Sequence, residues 1–245
     1  MLRSRIIPSL LMRDRGLVKT RQFKDDKYIG DPLNAVKIFN EKEVDELILY
    51  DIDATVKNKS PDMAFLEKIA VESRMPLCYG GGIHDAEQAA GIIRIGFEKV
   101  SISAAALARP ALINEIAERI GRQSVVVTLD VKKGKLGGYA VMSHNGTKKH
   151  KVKLTDFISE ASERGAGEIV INSIDRDGMM QGYDIALAKL ARTHTSAPLT
   201  LLGGAGSVID MSDLIDAVGT IGAAAGSMFV LKGVYRAVLI SYDRP

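Results

Sequence analysis

Leu47-Ile48-Leu49-Tyr50-Asp51-Ile52-Asp53 is an aliphatic run closed by aspartates, and about half a chain later it returns as Ile169-Val170-Ile171-Asn172-Ser173-Ile174-Asp175. Two more pairs keep the same interval. Gly80-Gly81-Gly82-Ile83 is echoed by Gly203-Gly204-Ala205-Gly206, and Val100-Ser101-Ile102-Ser103-Ala104 by Ala223-Ala224-Ala225-Gly226-Ser227. This two-fold repeat predicts two half-barrels, about 1–121 and 122–245, within one domain spanning 1–245. A repeated rim has two similar ends, which suits a long substrate carrying a phosphate at each end.

Outward from these runs, short apolar segments alternate with helical patterns. Strands are expected at Arg5–Leu11, Glu46–Asp51, Pro76–Tyr79, Lys99–Ser103, Ser124–Asp130, Glu168–Asn172, Pro198–Leu202 and Ala223–Gly226. All are short and mostly β-branched or aliphatic, as strands buried on both faces are. Amphipathic stretches lie between them, among them Pro32–Asn40, Met63–Ser73, Asp85–Ile95, Pro110–Ile120 and Thr155–Arg164. Pro32 and Pro110 suit a first helical turn, and Asp31 suits a cap. Eight strands alternating with helices predict an α/β fold, a (β/α)8 TIM barrel. Arg13–Gly30 reads as a charged loop that folds over the mouth. Lys132–Lys153 contains Asn145-Gly146 between two strand-like runs, the pattern of a small hairpin.

Composition agrees with that architecture. The chain has 245 residues, close to the roughly 250 of an eight-fold barrel. Its net charge of +3 gives no reason to expect nucleic acid or membrane, and suits an anionic substrate equally well. Cys78 is the only cysteine, so no internal disulfide forms, and a reducing cytoplasm is the expected compartment. The amino-terminal residues lack the apolar core of a signal peptide, and no segment is long enough to span a bilayer.

In such barrels function sits at the carboxyl ends of the strands. The turns Gly203–Gly206 and Gly226-Ser227 fall after the seventh and eighth strands, where glycines let backbone amides approach an anion. Asp51, Asp53, Asp130, Asp175 and Asp177 share this rim. Asp130 closes the cleanest apolar strand and is the natural general base, whereas Asp51, Asp53 and Asp175 are read equally well as loop-capping groups. Lys19 either reaches a phosphate or is solvated. His84, His144, His150 and His194 have no metal-ligand spacing, so neither metal nor cofactor is expected.

The order of Arg5-Ile-Ile-Pro8, Lys19, Gly30-Asp31-Pro32, Asp51-Ile52, Gly80–His84, Asp130, Ser173-Ile-Asp-Arg-Asp-Gly178, Gly182-Tyr-Asp184 and Gly203–Gly206 resembles the cyclase subunit of imidazole glycerol phosphate synthase nearly end to end. The resemblance implies a barrel that takes ammonia from a glutaminase docked on its amino-terminal face and closes an imidazole ring on a bisphosphate substrate. It implies phosphate contacts at Gly82 and Ser103 at one end and at Gly204, Ala225 and Ser227 at the other. Lys19, Asp51, Asp177, Gly178 and Gly203 join the implied substrate contacts. It also implies an ammonia gate of Arg5, Glu46, Lys99 and Glu168 at the strand starts.

One departure stands out. The family's chemistry uses aspartates ending strands one and five; strand five keeps Asp130, but strand one carries Leu11. Asp14 lies three residues on, and either it or water is the candidate replacement acid. The kept gate and the lost aspartate resemble a variant branch that accompanies surface-polysaccharide genes, in which a separate sugar amidotransferase makes an acetamidino sugar. Three functions follow: an ammonia-handling subunit for that transferase, a true cyclase with another acid, or a non-catalytic scaffold that activates the glutaminase.

Overall fold

The computed structural model describes residues 3–134 and 137–244. Met1, Leu2 and Pro245 at the chain ends, and Lys135-Leu136 within the second long loop, lie outside them.

Eight parallel strands form a closed ring: Arg5–Arg13, Leu47–Asp51, Leu77–Gly80, Lys99–Ile102, Val125–Lys133, Glu168–Ser173, Leu199–Leu202 and Gly222–Ala225. Each pairs with the next, and the eighth pairs back onto the first through Arg5↔Gly222 to Pro8↔Ala225. All eight expected strands are present and the barrel closes. The echoed motifs sit four strands apart, so the Gly80 turn follows strand three and the Gly203 turn follows strand seven.

Helices between the strands form the outer layer, and their starts follow the sequence signals. Asp31 accepts from the Asn34 amide ahead of the proline-led helix Pro32–Glu41, satisfying one of the donors a helix start leaves unpaired. Asp62, Asp85 and Asp184 cap three further helices in the same way. Side chains alternate along each strand. On strand one, Ile6, Leu10 and Met12 join the large core beneath the helices, while Ile7 joins a smaller cluster inside the ring.

Two features differ from expectation. Arg13–Gly30 is an antiparallel hairpin rather than a loop: Gly16–Arg21 pairs with strand one and with Lys24–Gly30. Its second strand is mostly charged and exposed, so it lacks the alternation that marks a strand; pairing with an already formed strand creates it. The other hairpin, Tyr139–Ser143 with Lys148–Lys153, forms as expected and turns through His144, Asn145 and Gly146 at positive φ. Beside strand eight the outer layer is short: the four-residue helix Ser227–Val230, a small ladder of Leu231–Lys232 with Ala237–Val238, and an extended tail. Tyr242 holds this tail by donating to Ile6 O at 2.9 Å and packing on Phe229.

Candidate functional site

At the amino-terminal end of the barrel, Arg5, Glu46, Lys99 and Glu168 point inward and close a ring. Arg5 reaches Glu46 at 2.5 Å and Glu168 at 2.7 Å, and Lys99 reaches them at 2.8 and 2.9 Å. Thr200 is a fifth member, donating to Glu168 at 2.5 Å. Gly222 makes room for it, since a Cβ there would sit 2.0 Å from the threonine hydroxyl. Two cations and two anions cancel, which is what permits their burial. Burial opposes the charge on Glu168, but Lys99 and Arg5 outweigh it and hold its carboxyl down at about 2. Glu46 is shifted up, first by burial and then by repulsion from Glu168. Glu46 is therefore the member of the ring easiest to protonate.

Above the ring lies an apolar layer of Ile7, Ile48, Cys78, Val126, Val170, Leu202 and Ala224. Next comes a polar girdle that sequence reasoning missed. Tyr50 on strand two reaches across the ring to strand five, its hydroxyl 2.9 Å from Thr128 Oγ1, which is 2.7 Å from Ser101 Oγ. Gly80 permits this, because a Cβ there would meet the Tyr50 ring at 2.8 Å. Tyr50 is thus a crossbar between the apolar layer and the mouth. Only its place two residues past Ile48 on an inward-facing register hinted at that.

The mouth is a cavity of about 360 Å³ lined by residues from the first six strands, the seventh strand's Leu202 and both hairpins. Asp130 stands in its wall and accepts from Asn172 Nδ2 at 2.9 Å. Burial raises its carboxyl to about 7, the Asn172 bond pulls the other way, and Asp177 adds repulsion. A carboxyl so tuned exchanges protons near neutrality, which suits a general acid or base. Leu11 lines the same cavity and offers no proton. Asp14 does not replace it. Strand one turns at Asp14 (φ 47°), sending the side chain outside this cavity, into solvent and toward Lys57 and Lys59 at 3.5 and 3.7 Å.

The remaining site residues divide. Gly82 and Ser103 line the cavity, and the Ser103 hydroxyl is buried without a hydrogen-bond partner. Gly82 (φ +70°) must be glycine, since a Cβ would lie 2.3 Å from Lys59 O. Asp51 also lines the cavity; burial raises its carboxyl, and Oδ1 accepts from the Asp53 and Ala54 amides at 3.1 Å. Asp53 pairs with Arg13 and Lys57, and Asp175 accepts from the Lys133 amide. Both of these are structural in this conformation.

Lys19 is buried, not solvated, with Nζ 3.4 Å from Asp177 and packed against Gly226. Asp177 also takes the Thr20 hydroxyl at 2.7 Å and the Phe23 amide at 3.3 Å, fastening the first hairpin to the rim. Gly178 (φ +68°) lets that hairpin approach. Gly203, Gly204, Ala225 and Ser227, at the ends of strands seven and eight, are buried and do not line the cavity. There Arg236, another residue not anticipated, donates to Gly178 O at 2.8 Å and lies 3.5 Å from the Ser227 hydroxyl. Asp210 occupies the Gly206 and Ser207 amides at 2.8 and 2.9 Å, so those two donors are spent on a helix cap. Among the described residues, no group of three or more His, Cys, Asp or Glu could hold a metal, and no helix is long and apolar enough to cross a membrane.

Comparison with known proteins agrees with this geometry. The Histidine biosynthesis protein family matches residues 5–235. A Vibrio vulnificus protein named "Putative imidazole glycerol phosphate synthase subunit hisF3" is 54% identical over 246 residues, covering 100% of this chain and 95% of that protein. A Leptospira borgpetersenii protein named "Putative imidazole glycerol phosphate synthase subunit HisF" is 55% identical, covering 99% and 96%. The Xanthomonas campestris protein named "Imidazole glycerol phosphate synthase subunit HisF" is 38% identical, covering 94% and 90%. With the barrel closed, the charged ring in place and near full-length matches, the chain belongs to the histidine-biosynthesis family of barrels, as a relative of the HisF-type cyclase subunit of imidazole glycerol phosphate synthase.

Proposed function

We propose that the chain is the barrel subunit of a cytoplasmic glutamine amidotransferase system. It receives ammonia from a glutaminase on its amino-terminal face and passes it to a separate sugar amidotransferase that amidinates a surface-polysaccharide sugar. The observation that carries this reading is the contrast between the two ends of one axis. The charged ring of Arg5, Glu46, Lys99 and Glu168 is complete, whereas the Asp130 cavity holds Leu11 where a second proton-transfer group is needed. Ring closure requires a proton delivered and another removed, and one carboxyl facing a leucine supplies only half of that pair.

The test joins the barrel, the glutaminase and the transferase with glutamine labelled at its amide nitrogen. The reading predicts labelled sugar product only when the barrel is present. Equal labelling without the barrel refutes it.

A second reading, ring closure on a bisphosphate ribonucleotide, draws on the Asp130 carboxyl near 7 and on Gly82 and Ser103 opening onto the same cavity. Ammonium salt and the bisphosphate substrate separate the two. The first reading expects no imidazole product from the unaltered chain and a trace from Leu11→Asp. Turnover by the unaltered chain that Asp130→Asn abolishes favours the second.

A further inference from the structure

The four charges of the amino-terminal ring are unevenly spaced around the barrel. Arg5 stands on strand one, Glu46 directly before strand two, Lys99 on strand four and Glu168 on strand six. Strands one and two are neighbours, and a single strand separates each of the next two pairs of charges. Between Glu168 and Arg5 lie both strand seven and strand eight, Leu199–Leu202 and Gly222–Ala225, which carry no charged residue. This is the widest arc of the ring.

Thr200 fills it. In the strand ladders Gly222 pairs with Thr200 on one side and with Arg5 on the other, so the three residues share one level. Gly222 leaves that level bare, and the Thr200 hydroxyl occupies the space where a Cβ would stand, 2.0 Å from it. The threonine is fully buried. Its hydroxyl donates to Glu168 Oε1 at 2.5 Å and lies 3.4 Å from Arg5 Nη2, which itself donates to Glu168 Oε1 at 2.7 Å. The three groups make a closed triangle. A hydroxyl is the neutral group that can donate to an anion and accept from a cation at once, so it adds a tie without upsetting the balance of charge. Glu46, by contrast, takes its donors from Arg5 and Lys99 and has no neutral partner among the described residues.

We propose that Thr200 is a positioning residue of the charged ring: its hydroxyl closes the arc over strands seven and eight and clamps Glu168 to Arg5. The ring is thereby shut on this side, and any opening is confined to the side where Lys99 meets Glu46. The proposal rests on the reading of the barrel as an ammonia conduit.

Thr200→Val keeps the branched shape and loses the hydroxyl, whereas Thr200→Ser keeps the hydroxyl. Loss of one hydrogen bond to a charged group changes an equilibrium about tenfold or more. The barrel is assembled with its glutaminase and the sugar amidotransferase, and supplied with amide-labelled glutamine and excess unlabelled ammonium. Thr200→Val is expected to raise the unlabelled share of the product about tenfold where that share is small, and Thr200→Ser to hold it at the level of the unaltered chain. A poorly folded barrel lowers the amount of product without this split, so an unchanged label share in Thr200→Val overturns the proposal, as does a Thr200→Ser barrel that leaks equally. The clamp is also read without any turnover. In urea unfolding of the chain alone, Thr200→Val and Glu168→Gln are expected to be non-additive, with a coupling of about tenfold in the unfolding equilibrium. Additive effects mean that the hydroxyl does not hold Glu168, and they overturn the assignment. The conduit reading fails separately: if labelled nitrogen reaches product equally without the barrel while this coupling is present, the clamp stands and the conduit does not.

Discussion

Replacing Asp130 with asparagine removes a charge from the wall of a recessed cavity while keeping an oxygen for Asn172 Nδ2 to donate to. Burial raises the Asp130 carboxyl from its ordinary 3.8 to about 7. The folded chain therefore holds this proton over a pH range in which the unfolded chain has already released it. Below about pH 4 both states are protonated, and above about pH 7 both are ionised. Across the window between them, stability contributed by this group falls as pH rises. At 1.36 kcal/mol per pH unit the whole shift corresponds to about 4 kcal/mol. Asp130 is partly open to the cavity, so water screens it, and about 1–3 kcal/mol is the realistic share. An asparagine side chain does not titrate and carries no such dependence. Urea unfolding of both chains from pH 5 to 8.5 is expected to show the Asp130→Asn variant gaining on the unaltered protein by about 1–3 kcal/mol as pH rises to 7, then holding that lead. A difference that stays flat from pH 5 to 8.5, or shrinks as pH rises, refutes the assignment of a proton to Asp130 near neutrality.

Three other outcomes follow from the packing. Lys99→Met leaves Glu46 and Glu168 to share Arg5 alone, and the surplus buried negative charge is expected to cost about 3–5 kcal/mol in urea unfolding; a loss under 1 kcal/mol contradicts a buried, inward-facing ring. Tyr50→Phe removes the bond to Thr128 and is expected to cost about 0.5–1.5 kcal/mol, while Tyr50→Leu shortens the crossbar and is expected to speed transfer of labelled glutamine nitrogen; an unchanged or slower transfer rate would show that Tyr50 is no barrier. Gly178→Ala combines a positive φ of +68° with a Cβ 2.2 Å from Thr20 O. It is expected to cost at least about 1–3 kcal/mol and to speed hydrogen exchange at the Gln22 amide, which bonds Asp177 O at 2.9 Å; unchanged exchange would mean the hairpin is held elsewhere.

How much of this was legible depended on whether a residue's role is local. Val125-Val126-Val127-Thr128-Leu129 is buried on both faces, so its composition alone marks a barrel strand, and Asp31 ahead of Pro32 marks a helix start by cap chemistry alone. The ring of Arg5, Glu46, Lys99 and Glu168 could be placed by family likeness, since four charges at four strand starts face one another only after closure. Closure is also why Tyr50 was missed. Its partner Thr128 is 78 residues away, and it crosses the barrel only because Gly80 is bare. Asp14, three residues past Leu11, was one candidate for the missing acid, and the left-handed turn that begins the hairpin carries it off the mouth. The hairpin itself was hidden because Lys24-Asp25-Asp26-Lys27 has no apolar face to announce a strand.

The central claim is that nitrogen travels inside the barrel instead of through solvent. Supplying amide-labelled glutamine together with excess unlabelled ammonium, to the barrel assembled with its glutaminase and the sugar amidotransferase, measures that directly. The account predicts a product labelled well above the label fraction of the free ammonium pool, and Lys99→Met brings it down toward that pool. Product labelled no more than the free pool, with the unaltered barrel in place, would mean that ammonia escapes to solvent and the barrel conducts nothing.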